Sequence, residues 1–314
     1  MAHEAPGRHH REGMSLIDLF RMFPDDKTAE DWFIRARWGD QVKCPNCGSH
    51  NIQDPTTHPD MRFRCRSCRK FFSTKTGTVM QGSNLGYQVW AIAIFQMTTN
   101  LKGVSSMKLH RDLKIAQKNA WHLAHRIRET FKDGDASFSG PVEVDETFIG
   151  GKRRNMSNKK RKALKDTGRG AVGKATVVGV KDRETNEVTA KVVGGTDAKT
   201  LHPFIKENVD AEATVYTDEH KGYNGIPNPH ETVKHSVSEY VNGMAHTNGI
   251  ESFWAMLKRG YHGTYHQMSE KHLRRYVSEF AGRHNARDFD TIRQMERMAA
   301  NMEGKRLTFA ELTQ

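Results

Sequence analysis

The sequence predicts an α/β fold in its C-terminal half, preceded by a small metal-stapled module and a helical region. Three observations predict it. Four cysteines fall in two Cys-x2-Cys pairs, Cys44/Cys47 and Cys65/Cys68. From about residue 140 the apolar pattern changes from helical to strand spacing, as in PVEVDETFIG and AVGKATVVGVKDR. Three carboxylates, Asp145, Asp218 and Glu251, then stand in a strand, at a strand end and at a helix start.

The elements follow in order. Residues 1–13, MAHEAPGRHHREG, contain no continuous apolar stretch and are expected to be a disordered tail rather than a secretory signal. Residues 14–38 read as helices: Leu16, Ile17, Leu19, Phe20 and Phe23 recur near helical spacing, with Trp32 and Phe33 after Pro24-Asp25-Asp26. Residues 39–80 hold the cysteine module, with polar turns and short strands such as RFRC and KFFS. Residues 84–134 are helical again. YQVWAIAIFQMTT is an apolar helix, and turns at Gly103-Val104-Ser105 and Leu113-Lys114-Ile115 separate two shorter ones. Two short helices across a tight turn give a helix-turn-helix plan. Its second helix carries Gln117, Lys118, Asn119, His122, His125 and Arg126, groups suited to a DNA groove. The bland alternative is a helical linker with a polar face. Residues 138–290 form the α/β domain: three strands, a helix at about 197–208, a strand at ATVYTDE and another at HETVKHSV. Helices at about 248–260, 268–284 and 288–302 close the chain, with 291–314 as a C-terminal helix and tail.

Lys and Arg outnumber Asp and Glu by 49 to 37 in 314 residues, a formal charge of +12. Such an excess favours an anionic partner, nucleic acid first. No run of about 18 apolar residues occurs, so no membrane span is expected. All four cysteines sit in the two pairs. That pattern favours metal over disulfide and a reducing, cytoplasmic setting.

Each Cys-x2-Cys pair brings two thiolates onto one knuckle, and 17 residues between the pairs let them close a tetrahedron around one zinc ion. Cys44, Cys47, Cys65 and Cys68 fill every position, so the ion is structural rather than catalytic. Arg62, Arg64, Arg66, Arg69 and Lys70 surround the second knuckle. They are either phosphate contacts or a solvated face.

Asp145 follows Val142 and Val144 in mid-strand, a costly place for an unpartnered charge. Asp218 ends Val215-Tyr216-Thr217, and Glu251 opens a helix. Strand ends and a facing helix can converge, and three converging carboxylates repel one another unless a dication neutralises them. Hard oxygen ligands suit Mg²⁺ or Mn²⁺, and two such ions can serve the attacking and leaving oxygens at phosphorus. The alternative is three separate surface acids.

The stretches CPNCGS, FRCRSCRKFFS, VEVDETFIGGK, VYTDEHKGY and HTNGIESFWAMLKRGYHGTYHQMSEKHLRRYVSEFAGRHN resemble bacterial insertion-sequence transposases of the DDE type, over about residues 14–285. The similar group joins an N-terminal zinc ribbon to a ribonuclease-H-like catalytic domain, a mixed sheet flanked by helices. The resemblance implies Asp145 and Asp218 as the first two catalytic acids, with Glu251 chosen as the third. Asn248, one helical turn earlier, is the competing third residue or the helix N-cap. The resemblance also implies that Lys258 steadies a DNA phosphate. His246 either orients a ligand, touches the scissile phosphate or is an ordinary loop histidine. Phe253 and Trp254 read as core.

The segment GGKRRNMSNKKRKALKDTGRG follows the first strand. Lys152, Arg153, Arg154, Lys159, Lys160, Arg161 and Lys162 make it a mobile phosphate clamp or a solvated charge run. The sequence therefore predicts an enzyme acting on double-stranded DNA, both element ends and target. It would carry one zinc and two Mg²⁺ or Mn²⁺ ions, and work as a homodimer or larger assembly. Two alternatives stay open: a catalytically inactive zinc-ribbon DNA-binding regulator, and a structure-specific nuclease.

Overall fold

The computed structural model describes residues 12–131, 137–151, 156–164, 172–233 and 246–314, apart from the side chains of Lys160 and Ala163. The chain divides into two compact units. One holds residues 1–132 together with 286–314, and the other holds residues 133–285.

In the first unit, α1 (Leu16–Met22) opens with a capping box between Ser15 and Asp18, and α2 (Asp26–Trp38) starts on the Asp25 side chain. Helix α3 (Tyr87–Thr99) is apolar almost all round and therefore central. Its Trp90, Ile94 and Met97 are fully buried among Phe23 and Phe33 from the first helices and Leu123 and Ile127 from farther along. Helices α4 (Ser106–Leu113) and α5 (Gln117–Thr130) follow, joined by a tight turn in which Lys114 adopts a left-handed conformation.

The ribbon is a three-stranded antiparallel sheet of β1 (Ile52–Gln53), β2 (Phe63–Cys65) and β3 (Phe71–Phe72). Its core is small. Phe63 stacks on Phe72 at 5.3 Å between ring centroids, and Trp38 at the end of α2 meets both rings edge-on.

The second unit is built on a five-stranded sheet. Its strands are β4 (Val142–Ile149), β5 (Ala175–Asp182), β6 (Val188–Val193), β7 (Val215–Thr217) and β8 (His230–Thr232). The order is β6-β5-β4-β7-β8. Strands β6, β5 and β4 pair antiparallel, whereas β4, β7 and β8 pair parallel. This mixed order is ribonuclease-H-like. Alternation sorts the faces. Val142, Val144, Val178 and Val180 pack with Leu201, Phe204 and Ile205 of α7 (Ala198–Asn208). Val177 and Ile149 pack with Ile250, Trp254 and Leu257 of α8 (Asn248–Gly260), and with Leu273, Val277 and Phe280 of α9 (Glu270–Asn285).

Three local expectations change. The basic segment after β4 is not a simple loop, because Asn158–Ala163 forms a short helix, α6. The closing helix, α10 (Thr291–Ala300), buries Met295 and Met298 in the core of the first unit. The strand expected at HETVKHSV is described only over His230–Thr232, and its continuation past 233 lies outside the described residues.

Candidate metal centres and acidic site

The four thiols form one compact set. All four sulfurs lie within 4.8 Å of one another. Cys44 and Cys68 are 3.7 Å apart, and Cys47 and Cys65 are 3.6 Å apart. Zinc–sulfur bonds of about 2.3 Å set tetrahedral edges of about 3.8 Å, so the spacing fits one zinc ion. Backbone amides donate to the sulfurs in each knuckle: Asn46 N–H to Cys44, and Cys68 N–H to Cys65. The Cys68 amide is the first cause holding the Cys65 thiol down to about 6, while Cys47, despite the Ser49 amide, is pushed up to about 12 by burial and the neighbouring sulfurs, so without a metal the cluster favours one thiolate among its thiols. Among the described residues this is the one group of three or more Cys, His, Asp or Glu side chains close enough to share an ion. Arg62 is not a free phosphate contact. It pairs with Asp31 at 2.6 Å and Asp54 at 3.0 Å, and locks the ribbon to α2.

In the sheet unit, the β4–β7 register pairs Val142 with Val215 and Glu143 with Tyr216. Continued two residues, that register sets Asp145 level with Asp218. Asp145 is half-buried, and its carboxyl is pushed up to about 7. Burial is the main cause, followed by the charge of Glu146 and then that of Asp218. Glu146 is raised as well, first by burial; Asp218 adds repulsion, while Tyr223 and His220 oppose it. The buried Tyr223 hydroxyl donates to Glu146 Oε2, and His220 Nδ1 stands 3.9 Å from Oε1. The acids that interact most directly are therefore Asp145, Glu146 and Asp218. Carboxylates that raise one another in this way suit a hard dication such as Mg²⁺ by their chemistry, although the three do not form a set close enough to share one ion as they stand.

Glu251 is placed by different forces. It lies in the first turn of α8, where the helix dipole favours an acid, and its Oε1 accepts from Thr247 Oγ1 at 3.1 Å. Like Glu146, it does not join Asp145 and Asp218 in a set tight enough for one ion. Asn248 is exposed and is the first helical residue; the N-cap is Thr247. His246 stands with Nδ1 at 3.2 Å from Glu143 Oε1. Exposed Lys258 borders a cavity of about 350 Å³ together with Glu146, Lys174 and His262.

Several residues of this site carry no motif signal. Trp254 is more than core: its Nε1–H donates to Asp145 Oδ2 at 3.0 Å. Gly179 pairs directly with Asp145 across the β4–β5 ladder, and a Cβ there would stand 2.7 Å from the Trp254 ring. The glycine therefore opens the space through which the indole reaches the acid. Glu143, only 2 % exposed, points to the same face as Asp145. It accepts the Ile250 N–H at 2.9 Å and pairs with Arg183 at 3.0 Å, capping α8 from the sheet. Glu143, between Val142 and Val144, is a mid-strand charge that needs a partner as much as Asp145 does, and that was its one sequence signal.

In the helical unit, Gln117, Lys118 and Asn119 at the start of α5 are exposed. His125 and Arg126 are buried, which corrects their assignment to a groove-facing surface. Arg126 donates to the carbonyls of Leu307 and Gln81, and half-buried His122 also bonds Leu307 O. Within α5 only the first turn is exposed. In the basic segment, Lys159, Arg161 and Lys162 are exposed; Lys152, Arg153, Arg154 and the Lys160 side chain lie outside the described residues. No helix among the described residues is long and apolar enough to cross a membrane.

Residues 137–285 match the ISXO2-like transposase domain, and residues 24–71 match a transposase zinc-ribbon domain. A Halobacterium salinarum protein, described as an uncharacterized protein in transposable element ISH50, is 26% identical over 271 residues. The similarity spans 83% of this chain and 91% of that protein.

Proposed function

We propose that this chain, which carries the zinc ribbon and ISXO2-like domain of insertion-sequence transposases, binds the inverted-repeat ends of a mobile element and cuts and joins DNA there. The observation that carries the reading is the half-buried Asp145 carboxyl on the central strand of a ribonuclease-H-like sheet, raised by burial and by the charges of Glu146 and Asp218. Asp145 and Asp218 would hold Mg²⁺ or Mn²⁺, with Glu251 completing the set from α8 and Asn248 as the competing third ligand. A bound dication supplies Lewis-acid stabilisation of charge at phosphorus and a more acidic water.

The chain's own residues do the rest. The Trp254 N–H fixes one oxygen of Asp145 and leaves the other available as a ligand. Glu143 anchors the start of α8, and so fixes where Glu251 stands. Lys258 and Lys174 border the cavity beside Glu146 and present ammonium groups to a phosphate. The exposed first turn of α5 reads element ends, and the basic segment after β4 supplies sequence-independent phosphate contacts. Two ends must meet, so the working form on double-stranded DNA is a dimer or larger. The four cysteines hold one structural zinc, supported by their spacing and the ribbon match.

The test incubates the zinc-loaded protein with labelled element ends, a plasmid target and Mg²⁺, beside Glu251→Ala and Asn248→Ala. Joined product lost only with Glu251→Ala supports the acid triad. Loss only with Asn248→Ala moves the third ligand. End binding without cleavage or joining, in Mg²⁺ and Mn²⁺, would instead establish a DNA-binding regulator. Cleavage without joining would leave a nuclease.

A further inference from the structure

We infer that a cleft between α2 and α10 is a second binding site for duplex DNA phosphates, distinct from the zinc knuckles, α5 and the acidic site. The inference rests on the reading of the chain as a DNA-acting protein. The cleft measures about 610 Å³, and its lining includes Trp32, Arg35, Phe289, Arg293, Glu296 and Arg297. It exists only because α10, far away in sequence, packs against α2 in the same unit.

Three features separate it from an ordinary charged surface. First, Arg35 and Arg293 are exposed and make no ion pair among the described residues, and Glu296 is the single acid of the lining. Three guanidiniums against one carboxylate leave the lining with a positive excess, which a bridging anion relieves. Second, the position of Arg293 is unfavourable by itself. It is the third residue of α10; the one acid at that helix start is the N-cap Asp290, whose Oδ1 accepts the Glu12 N–H, and no acid stands in the first turn itself. The helix dipole disfavours a cation at this end, whereas it favours an arriving anion. Arg35, in the last turn of α2, has a dipole reason to be where it is; Arg293 has none. Third, Phe289 is 37% exposed and is covered by Arg297, whose guanidinium carbon lies 5.5 Å from the ring centroid. The aromatic surface holds that fork in place at the rim. Planar guanidinium forks match phosphate oxygens two at a time, so a DNA backbone is the ligand that this chemistry fits.

The experiment measures binding of full-length, zinc-loaded Asp145→Asn to a fluorescent random-sequence duplex across a salt series, with and without Arg35→Gln and Arg293→Gln. Asp145→Asn prevents cutting during the titration. Each phosphate contact contributes about 0.9 to the slope of log affinity against log salt. Removing both arginines is expected to lower that slope by roughly 2. It should also weaken binding by more than tenfold at low salt, with the unfolding temperature unchanged. DNA should protect Arg35 and Arg293 from phenylglyoxal while leaving Arg21 of α1 reactive. An unchanged slope and no protection, in protein that binds DNA, would overturn the cleft and leave the transposase reading standing. Failure of the parent protein to bind duplex DNA at all would overturn both.

Discussion

Replacing Asp145 by Asn should stabilise the Mg²⁺-free protein, although the residue is placed at the heart of its chemistry. The side chain keeps its shape and can still accept the Trp254 N–H. What it loses is a charge held among Glu146 and Asp218. The Asp145 carboxyl moves from 3.8 to about 7, and each pH unit corresponds to about 1.4 kcal/mol, so ionising it in the fold costs up to about 4 kcal/mol. The sign follows from linkage. A raised acid supports the fold fully below 3.8; that support is lost as the unfolded chain ionises above 3.8, and the loss is complete above about 7. The stability gap between Asn and Asp should therefore grow by about 2 kcal/mol from pH 5.5 to 8.5. The assay is urea unfolding followed by hydrogen exchange in β4 and α8, in zinc-loaded protein without chelator. Added Mg²⁺ should stabilise the wild type at pH 8.5 and barely affect Asp145→Asn. A variant less stable than wild type at pH 8.5, or a gap that ignores pH, would refute the claim that Asp145 is an uncompensated acid.

Gly179→Ala should break the link between α8 and Asp145, because its Cβ would stand 2.7 Å from the Trp254 ring. Overpacking of this kind costs about 1–3 kcal/mol, and Trp254 fluorescence should lose its response to Mn²⁺. Glu143→Gln leaves Arg183 without its buried counter-charge and weakens the outside cap on α8. A loss of about 3 kcal/mol in urea unfolding is expected, with faster exchange at the first turn of α8. Cys65→Ser should bind less than the one zinc per chain expected of wild type, read by elemental analysis. The ribbon should then open to protease, since Phe63 and Phe72 alone provide little core.

What the sequence reveals follows from which interactions are local. The four cysteines and their knuckles are short-range geometry, and their spacing reads directly as a metal tetrahedron. Helix α8 spans Asn248–Gly260 as its apolar period indicates, and β4 and α7 lie where their patterns place them. The contacts that tune the site are not local. Trp254 and Asp145 are 109 positions apart, and they meet only because Gly179 occupies the paired position on β5. His125 and Arg126 look like a polar helix face, but Arg126 satisfies carbonyls at Gln81 and Leu307, which no helical period encodes. The return of α10 to the first unit is likewise a tertiary event, invisible in a tail that reads as a separate amphipathic helix.

The most direct measurement is strand joining by Asp145→Asn and Asp218→Asn beside the wild type, each first shown to bind a labelled element end. The account predicts Mg²⁺-dependent joined product from the wild type, none from either variant, and end binding retained by all three. Joined product from either variant at the wild-type rate would contradict it.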